Sequence, residues 1–257
     1  MRPGRAGASC APGARSAPLR SPTTSPRYER RRERPVKPIE LNRLIDHTLL
    51  KPEASEADIR RVCREAIAYD FFSVCINTYF VPLAARELAG TPIKVCSIAG
   101  FPLGAVDSGV KAFEAVRAVG AGAHEIDMVM NIGALKSGDL AFVADDIARV
   151  VAACGSAARV KVIIEAAVLT DDEKVTACGL VKEAGAHFVK TSTGFGPPGA
   201  NVRDVELMRA AVGPGFGVKA SAGIRTAAFA LELVRAGASR IGTSASVAIM
   251  EELKGSR

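Results

Sequence analysis

From residue 39 to its end, the chain alternates short apolar runs with longer alanine-rich helical patterns. Seven helical patterns separate eight runs, and an eighth, SVAIMEEL, follows the last run. Such alternation predicts a parallel sheet, and eight strand–helix units predict a single (β/α)8 TIM barrel, an α/β fold. An open doubly wound sheet is the alternative, but no GxGxxG motif follows the first run. The predicted strands are LIDHTLL (44–50), SVCIN (73–77), KVCSIAG (94–100), HEIDMVM (124–130), RVKVIIE (159–165), HFVKTST (187–193), FGVKAS (216–221) and RIGTS (240–244).

The predicted helices carry boundary signals of their own. The segment SEADIRRVCREAIAYD begins with a Ser-x-x-Asp capping signal at Ser55. The patterns VKAFEAVRAVGAGA and DEKVTACGLVKEAGA both end near glycine, as helices commonly do. The tripeptide AGA recurs at 121–123, 184–186 and 236–238 and precedes a predicted strand each time. We interpret it as the tight link that returns the chain to the sheet.

Residues 1–38 hold most of the positive charge of the chain. They contain nine Arg and one Lys against Glu29 and Glu33, a balance of +8, whereas the whole chain is +7 and residues 39–257 therefore carry −1. A segment so poor in large apolar residues cannot bury enough surface to offset ordering, so we expect a disordered, Arg/Pro/Ser-rich tail before a barrel domain at 39–257. The tail fits a transit peptide, an arm that binds nucleic acid or a membrane surface, or a dispensable extension.

The sequence has no pattern typical of a metal centre, a disulfide framework or a membrane span. Its six cysteines are scattered without a CxxC pair, and Cys75 and Cys96 lie inside apolar runs, as buried free thiols do. The three histidines, His47, His124 and His187, lack the spacing of metal ligands. No run of about 20 apolar residues occurs. We therefore expect a cytoplasmic protein without metal or cofactor, whose barrel contacts neither membrane nor nucleic acid.

Four successive predicted strands place ionisable residues opposite helix-facing apolar ones. These residues are Glu125 and Asp127 on HEIDMVM, Lys161 on RVKVIIE, Lys190 on HFVKTST and Lys219 on FGVKAS. In a closed barrel such faces point inward and meet. Barrels of this class carry their active sites at the C-terminal ends of the strands. The pattern therefore indicates a functional site rather than isolated buried charges.

The two lysines on the sixth and seventh strands are compatible with imine chemistry. A lysine of ordinary pKa is protonated at neutral pH and is not nucleophilic, but burial and a neighbouring cation both lower a lysine pKa. One of Lys190 and Lys219 can then attack a carbonyl and form a Schiff base, while Asp127 transfers protons. The alternative is a buried ion-pair network that only stabilises the barrel.

Glycine-rich loops follow the last three predicted strands. They are TSTGFGPPG (191–199), ASAGIR (220–225) and IGTSAS (241–246). Late loops of such barrels commonly bind phosphate through backbone N–H groups, which glycine allows to approach closely. We expect a phosphate site formed by Gly194, Gly223, Gly242 and Ser244, with ordinary strand–helix turns as the alternative.

Nine segments, in order, resemble the deoxyribose-phosphate aldolase family of class I aldolases. They span roughly residues 39–253 and are LIDHTLLKP, SVCIN, GFPLGA, KAFEA, EIDMVMNIGALKSGD, KVIIE, FVKTSTGFGP, VKASAGIR and RIGTS. The resemblance implies reversible cleavage of 2-deoxy-D-ribose 5-phosphate to acetaldehyde and D-glyceraldehyde 3-phosphate. It also implies a lysine Schiff base, no cofactor, a role in nucleoside catabolism and a homo-oligomer, either dimer or tetramer.

The resemblance assigns roles residue by residue. Lys190 matches the Schiff-base lysine, Lys219 the lysine that perturbs it, and Asp127 the proton-transfer carboxylate. The supporting polar positions match Asp46, Thr48, Cys75, Lys161 and Thr191. In the phosphate loop, the family usually has glycine where this chain has Ala222. If that position requires a positive φ, alanine weakens phosphate binding; if its φ is negative, alanine is harmless.

Two other functions are compatible with these patterns. One is a catalytically silent barrel that binds a phosphorylated sugar and contacts a partner through the basic tail. The other is a different class I aldolase, or a transaldolase, with a larger donor. The presence of Asp127, Lys190 and Lys219 together argues against the silent barrel.

Overall fold

Eight parallel strands form a closed barrel in which each strand pairs with the next and β8 pairs with β1. A computed structural model shows this arrangement and describes residues 41–196 and 198–255. The strands are β1 Ile45–Leu49, β2 Ser73–Ile76, β3 Lys94–Ala99, β4 Glu125–Val129, β5 Arg159–Ile163, β6 Phe188–Lys190, β7 Gly217–Ser221 and β8 Arg240–Thr243. The predicted TIM barrel is confirmed. The disordered tail predicted for residues 1–38 lies outside the described residues, and the domain boundary at residue 39 stays a prediction.

Helices cover the outside of the barrel and connect the strands. They are α1 Glu56–Ala68, α2 Val81–Glu87, α3 Ser108–Gly120, α4 Ile132–Lys136, α5 Leu140–Cys154, α6 Asp171–Glu183, α7 Val202–Val212, α8 Ala227–Arg235 and α9 Ser246–Gly255. The capping signal predicted at Ser55 is present, because its side chain accepts the Asp58 N–H while the Asp58 side chain accepts the Ser55 N–H. None of the helices in the described part of the chain is long and apolar enough to cross a bilayer.

The strands are buried on both faces, but the two faces differ chemically. On β4, Ile126 and Met128 belong to the large apolar cluster between strands and helices, and both are fully buried. Burying such a side chain contributes about 1.5–3 kcal/mol relative to exposure. Glu125 and Asp127 alternate with them and point into the barrel, as strand periodicity requires. The apolar layer therefore stabilises the fold, and the interior is left for polar groups.

The sixth strand is shorter than the sequence pattern predicted. HFVKTST suggested a strand over 187–193, whereas β6 ends at Lys190. Beyond it, Thr193 donates its backbone N–H and its hydroxyl to Glu165, which follows β5 in a left-handed conformation with φ +50°. These side-chain bonds replace the strand ladder and form a loop at the mouth of the barrel.

Strand register places the ionisable residues beside one another. Lys190 and Lys219 are Cα partners on β6 and β7, and Asp127 and Lys161 are Cα partners on β4 and β5. Both pairs lie on inward faces of neighbouring strands. The register therefore brings the four side chains into the barrel interior at closely related heights.

Candidate active site

Asp127 is the centre of the buried cluster. Its Oδ1 accepts a hydrogen bond from Lys161 Nζ at 2.7 Å, and its Oδ2 accepts from Lys190 Nζ and from Lys219 Nζ, each at 2.7 Å. The four side chains are at most 3% exposed. The three lysines that the sequence placed on inward faces therefore meet at one carboxylate.

A second layer of charges lies next to this cluster, towards the start of the strands. Asp46 Oδ2 lies 2.5 Å from Lys219 Nζ, and Glu125 Oε2 lies 2.7 Å from Lys161 Nζ. Arg240 joins the two carboxylates, because its Nη1 is 2.8 Å from Asp46 Oδ1 and 2.8 Å from Glu125 Oε2. The Arg240 guanidinium also lies over the ring of Phe72, with 3.5 Å from Cζ to the ring centroid. The sequence analysis assigned no role to Arg240.

The two carboxylates that contact Lys219 are held ionised by their cationic neighbours. Burial alone would raise the pKa of Asp127, but the ammonium groups of the three lysines outweigh it and hold that pKa well below its ordinary value. Burial opposes the charge of Asp46 in the same way, and Lys219 and Arg240 lower the pKa of its carboxyl. Both groups therefore remain acceptors at neutral pH.

Two of the lysines are held protonated by the same contacts. Burial would lower the pKa of Lys161, yet the charges around it, Asp127 foremost, raise it well above its ordinary value. For Lys219, burial is outweighed by Asp127 and Asp46, and its pKa is also raised. Lys219 is thus a lasting positive charge beside Lys190, in agreement with a role as the perturbing group.

A cavity of about 460 Å³ opens over the cluster at the C-terminal ends of the strands. The residues on its wall that the sequence analysis selected are Thr48, Lys190, Gly194, Ala222, Gly223, Gly242 and Ser244. Lys190 is therefore the amine of the cluster that faces the cavity. The other selected residues are buried away from the wall; they are Asp46, Cys75, Asp127, Lys161, Thr191 and Lys219. Thr191 has a structural position, since its hydroxyl accepts the Ser221 N–H across β6 and β7.

Two cations on the cavity wall were quoted within motifs but given no role by the sequence analysis. Lys51 follows β1, and Arg225 ends the loop after β7. Lys51 has only a loose ion pair with Glu53, at 3.7 Å. Arg225 has no ion-pair partner within residues 41–196 and 198–255. The sequence offered one signal for each cation, because Lys51 follows a predicted strand and Arg225 ends a glycine-rich loop. Only the folded loops show that the two side chains lie on one wall of the cavity.

The phosphate-loop position Ala222 has a left-handed backbone. Its φ is +72°, a conformation that costs an L-residue roughly 1–2 kcal/mol. The backbone of Gly199 lies close by, because a Cβ added to Gly199 would lie 2.2 Å from the Ala222 carbonyl oxygen. Of the two alternatives drawn from the sequence, the positive φ is the one observed, so alanine at this position is strained.

Gly242, which the sequence analysis assigned to the phosphate site, also lies against the lysine cluster. It lies on the cavity wall, but a Cβ at this position would also be 2.9 Å from Lys219 Cε and 3.0 Å from Ser221 Cβ. The absence of a side chain at this position gives the Lys219 side chain its space. The glycine therefore serves the lysine cluster as well as the cavity.

Cys75 and Cys96 lie next to Asp127 on neighbouring strands. Cys96 Sγ is 3.2 Å from Asp127 Oδ1, and Cys75 Sγ is 4.0 Å from Asp127 Oδ2. Within the described residues, ligand atoms of these three side chains lie within 4.8 Å of one another, as do those of Asp46, Cys96 and Glu125. The carboxylates of both sets already accept from lysine or arginine, so a metal cation would meet four positive groups there. The arrangement favours anion and carbonyl chemistry over metal binding.

Comparison with known proteins agrees with this geometry. A model of the DeoC/LacD aldolase family matches residues 42–250. The chain belongs to the DeoC/LacD aldolase family. Within this family, the deoxyribose-phosphate aldolase of Enterococcus faecalis is 57% identical over 217 residues, covering 84% of this chain and 99% of the relative. That of a Thermoanaerobacter species is 58% identical over 212 residues, covering 82% and 95%.

Solved structures extend the family likeness to the whole barrel. A putative deoxyribose-phosphate aldolase from Coccidioides immitis superposes with a TM-score of 0.83 at 41% identity, covering 85% of this chain and 87% of the other. The deoxyribose-phosphate aldolase of Aeropyrum pernix, described as a unique tetramer, superposes with a TM-score of 0.80 at 36% identity, covering 86% and 94%. As a DeoC/LacD aldolase, the chain is a lyase of the class that cleaves carbon–carbon bonds.

Proposed function

We propose that the chain is a deoxyribose-phosphate aldolase that cleaves 2-deoxy-D-ribose 5-phosphate to acetaldehyde and D-glyceraldehyde 3-phosphate. The observation that carries the proposal is a single lysine, Lys190, at the base of a cavity whose rim is formed by glycine loops and cations. Relatives that are more than half identical over nearly their full length have this activity in their names. The reaction belongs to nucleoside breakdown, and we place it in the cytoplasm, where the buried free thiols would stay reduced.

Lys190 is the amine best placed to act as nucleophile. Lys161 and Lys219 each contact two carboxylates within 2.7 Å, whereas Lys190 contacts Asp127 alone. It also shares that oxygen with Lys219, so Lys190 has the fewest carboxylate contacts of the three lysines. A neutral Lys190 amine can attack the sugar aldehyde and lose water to form the imine.

The imine then serves as the electron sink for the carbon–carbon cleavage. A proton leaves the C3 hydroxyl, its oxygen forms a C=O bond to C3, and the C2–C3 bond breaks to release D-glyceraldehyde 3-phosphate. The electron pair of the C2–C3 bond becomes the C1=C2 bond of an enamine, while the π pair of the C=N bond moves to the nitrogen of Lys190. Protonation at C2 and hydrolysis release acetaldehyde and regenerate the amine. Asp127, hydrogen-bonded to Lys190 and Lys219, is the group that we assign to proton transfer around the imine nitrogen. No cofactor is required, because the imine itself accepts the electrons.

The phosphate group fits the side of the cavity formed by the last three loops. Gly194, Gly223 and Ser244 line the wall. Positive charge there comes from Lys51 and from Arg225, which has no ion-pair partner in the described part of the chain. Arg and Lys at such a rim favour a doubly charged phosphate by charge-assisted hydrogen bonds. This half of the cavity would orient the sugar so that its aldehyde carbon meets Lys190.

The deciding experiment is trapping of the imine. The protein is treated with acetaldehyde and borohydride, and the two-carbon adduct is mapped by peptide mass spectrometry in the native chain and in Lys190→Ala. We expect the adduct on Lys190 and loss of turnover in the variant. An adduct on Lys219 would reverse the two roles. Phosphosugar binding without adduct or turnover would identify a silent barrel, and cleavage restricted to larger donors would indicate a different aldolase or a transaldolase.

We also propose that the chain forms a homo-oligomer. Val110, Phe113 and Val116 share one face of α3, and all three are exposed, Phe113 by 65%. A second copy of the chain is the expected occupant of this face, in line with the tetramer described for the Aeropyrum pernix relative. Light scattering should give a dimer or tetramer for the native chain and a smaller species for Phe113→Asp. If Phe113→Asp has the same mass as the native oligomer, this face of α3 is not the interface.

A further inference from the structure

The buried network inside the barrel contains more positive groups than negative ones. Within the described residues it contains three carboxylates and four cationic side chains, joined by direct contacts. They are Asp46, Glu125 and Asp127 against Lys161, Lys190, Lys219 and Arg240. With every group ionised, the network carries one uncompensated positive charge in a region almost without solvent. Such a charge is costly, so one proton is favoured to leave.

Arg240 is the cation that cannot supply that proton. A guanidinium stays protonated in proteins. Here burial opposes its charge, but Asp46 and Glu125 outweigh that effect and raise its pKa further. The guanidinium is fixed by both carboxylates and by stacking over Phe72, with 4% of the residue exposed. The proton must therefore come from a lysine.

Contacts decide which lysine it is. Arg240 contacts Oδ1 of Asp46 and shares Oε2 of Glu125 with Lys161, while Lys219 contacts the other oxygen of Asp46. Among the described side chains, Asp127 is the one carboxylate that all three lysines contact within 2.7 Å. Lys190 depends on Asp127 alone and faces the cavity, where a proton can reach water. The identity of the neutral amine thus depends on an arginine that neither touches Lys190 nor lines the cavity.

We propose that Arg240 and Glu125 are positioning residues that set the charge balance under which Lys190 is neutral at neutral pH. The proposal rests on the assignment of Lys190 as nucleophile. Arg240 supplies the surplus positive charge, and Glu125 limits that surplus to one. Loss of Arg240 leaves three carboxylates for three lysines, so Lys190 keeps its proton. Loss of the Glu125 charge leaves a surplus of two, so Lys190 loses its proton more readily.

The other groups around Lys190 do not alter this count. The titratable and charged side chains that face the interior from the packed elements are Asp46 on β1, Cys75 on β2, Cys96 on β3, Glu125 and Asp127 on β4, Lys161 on β5, Glu165 after β5, Lys219 on β7 and Arg240 on β8. At the lower end of the barrel, Glu125 and Arg240 also line a cavity with Lys94, His124, Arg159 and His187, which lie outside the network of direct contacts. Glu165 accepts hydrogen bonds from the backbone N–H and the hydroxyl of Thr193, and among the described residues it makes no ion pair with the network. A hydrogen bond with Cys96 lowers the pKa of Cys75 against the effect of burial, so Cys75 is the thiol to test.

The test measures the pH at which Lys190 becomes reactive. Acetaldehyde and borohydride are the probe, the adduct on the Lys190 peptide is quantified from pH 5 to 10, and kcat/KM is recorded over the same range. In Arg240→Met the midpoint should rise by about one pH unit, a tenfold smaller amine fraction at neutral pH. In Glu125→Gln it should fall by about one pH unit. The double variant restores a surplus of one and should return towards the native midpoint.

Controls separate this effect from loss of stability. Lys174→Met removes a buried cation from a salt bridge with Asp204 on the outer helices. It should lower the melting temperature without moving the midpoint. Cys75→Ser should also leave the midpoint in place. A downward shift in Cys75→Ser would show that a thiolate supplies the balancing charge and would overturn the count.

Other outcomes are equally decisive. If Arg240→Met and Glu125→Gln lower reactivity at every pH without opposite shifts, the pair is only structural and the inference is wrong. If Arg240→Met does not fold, Glu125→Gln and the double variant still carry the test, because their midpoints must differ in the stated direction. Absence of any adduct on Lys190 in the native chain would instead refute the proposed function.

Discussion

Lys190 Nζ and Lys219 Nζ donate to the same oxygen, Oδ2 of Asp127, from register partners on β6 and β7. One carboxylate oxygen cannot neutralise two ammonium groups. Lys219 has a second carboxylate in Asp46, at 2.5 Å, whereas the described residues give Lys190 no second one. The two lysines are neighbours with similar burial, and this difference in their acceptors is the basis of the roles that we propose for them.

Replacing Lys219 should therefore change the pH dependence of the reaction. Lys219→Leu removes a permanent cation next to Lys190, so Lys190 keeps its proton to higher pH. We expect at least a tenfold loss of kcat/KM at neutral pH, with partial recovery by about pH 9, equivalent to about 1.4 kcal/mol for each tenfold change. Lys190→Ala is the control and should not recover at any pH. A pH-independent loss in Lys219→Leu would indicate substrate contact or proton relay instead.

Replacing Ala222 by glycine should stabilise the protein. Glycine adopts φ +72° without the steric cost, although it gains entropy in the unfolded chain, so we expect a net gain of about 0.5–1 kcal/mol in the free energy of unfolding. Phosphate-substrate KM should stay the same or decrease. Ala228→Gly, an exposed position in the first turn of α8, should have the opposite sign, because glycine is a poorer helix former than alanine. A destabilised Ala222→Gly would show that its methyl group packs favourably in the loop.

Adding a methyl group at Gly242 should disturb the lysine cluster. The new Cβ would lie 2.9 Å from Lys219 Cε, so Lys219 must move away from Asp127. We expect Gly242→Ala to lose about 1–3 kcal/mol of stability by overpacking and to raise the pH at which activity appears. Gly215→Ala is the matched control, because nothing lies within 4 Å of its added Cβ. Denaturant melts and pH–rate profiles are compared for the two variants. If Gly242→Ala is as stable as Gly215→Ala and has the same pH dependence of activity, the prediction is wrong.

Stability should decrease as the pH falls below 6.5, because of the histidines. Burial lowers the pKa of His47, His124 and His187 from the ordinary value of 6.5. Near His47, the hydrogen bond with Glu65 at 2.7 Å opposes this effect without reversing it. The unfolded chain therefore binds more protons just below pH 6.5, so the free energy of unfolding rises with pH in that window.

Denaturant melts between pH 5 and 8 measure this dependence. His47→Gln should flatten the slope below pH 6.5, since the most buried of the three histidines no longer titrates. Stability that instead increases as the pH falls would mean that His47 is a charged partner of Glu65 in the folded state.

Local sequence patterns were sufficient for the barrel and for the inward-facing lysines. Alternation along β4 to β7 is a property of single strands, so Asp127, Lys161, Lys190 and Lys219 could be placed on inward faces without knowing the fold in detail. The capping box at Ser55 is equally local. These features could be predicted because each depends only on residues that are close together in the sequence.

Features that depend on distant register could not be predicted in this way. Arg240 is the first residue of β8, and a charged residue at the start of a strand normally predicts a solvent-exposed side chain. Its burial follows from Asp46, 194 residues away, and from Glu125, 115 residues away. The convergence of Lys51 and Arg225 depends on loop conformations, and so does the close approach of Gly199 to the Ala222 carbonyl.

Arg240 lies at the lower end of the barrel, where its guanidinium Cζ is 3.5 Å from the ring centroid of Phe72 and 5.2 Å from that of Phe188. Together with Glu125 it also lines a second cavity, of about 630 Å³, at that end. The buried charges therefore lie between two openings of the barrel, the cavity above Lys190 and this lower one. A sugar phosphate bound over Lys190 would leave the lower opening as the route by which these side chains exchange protons with water.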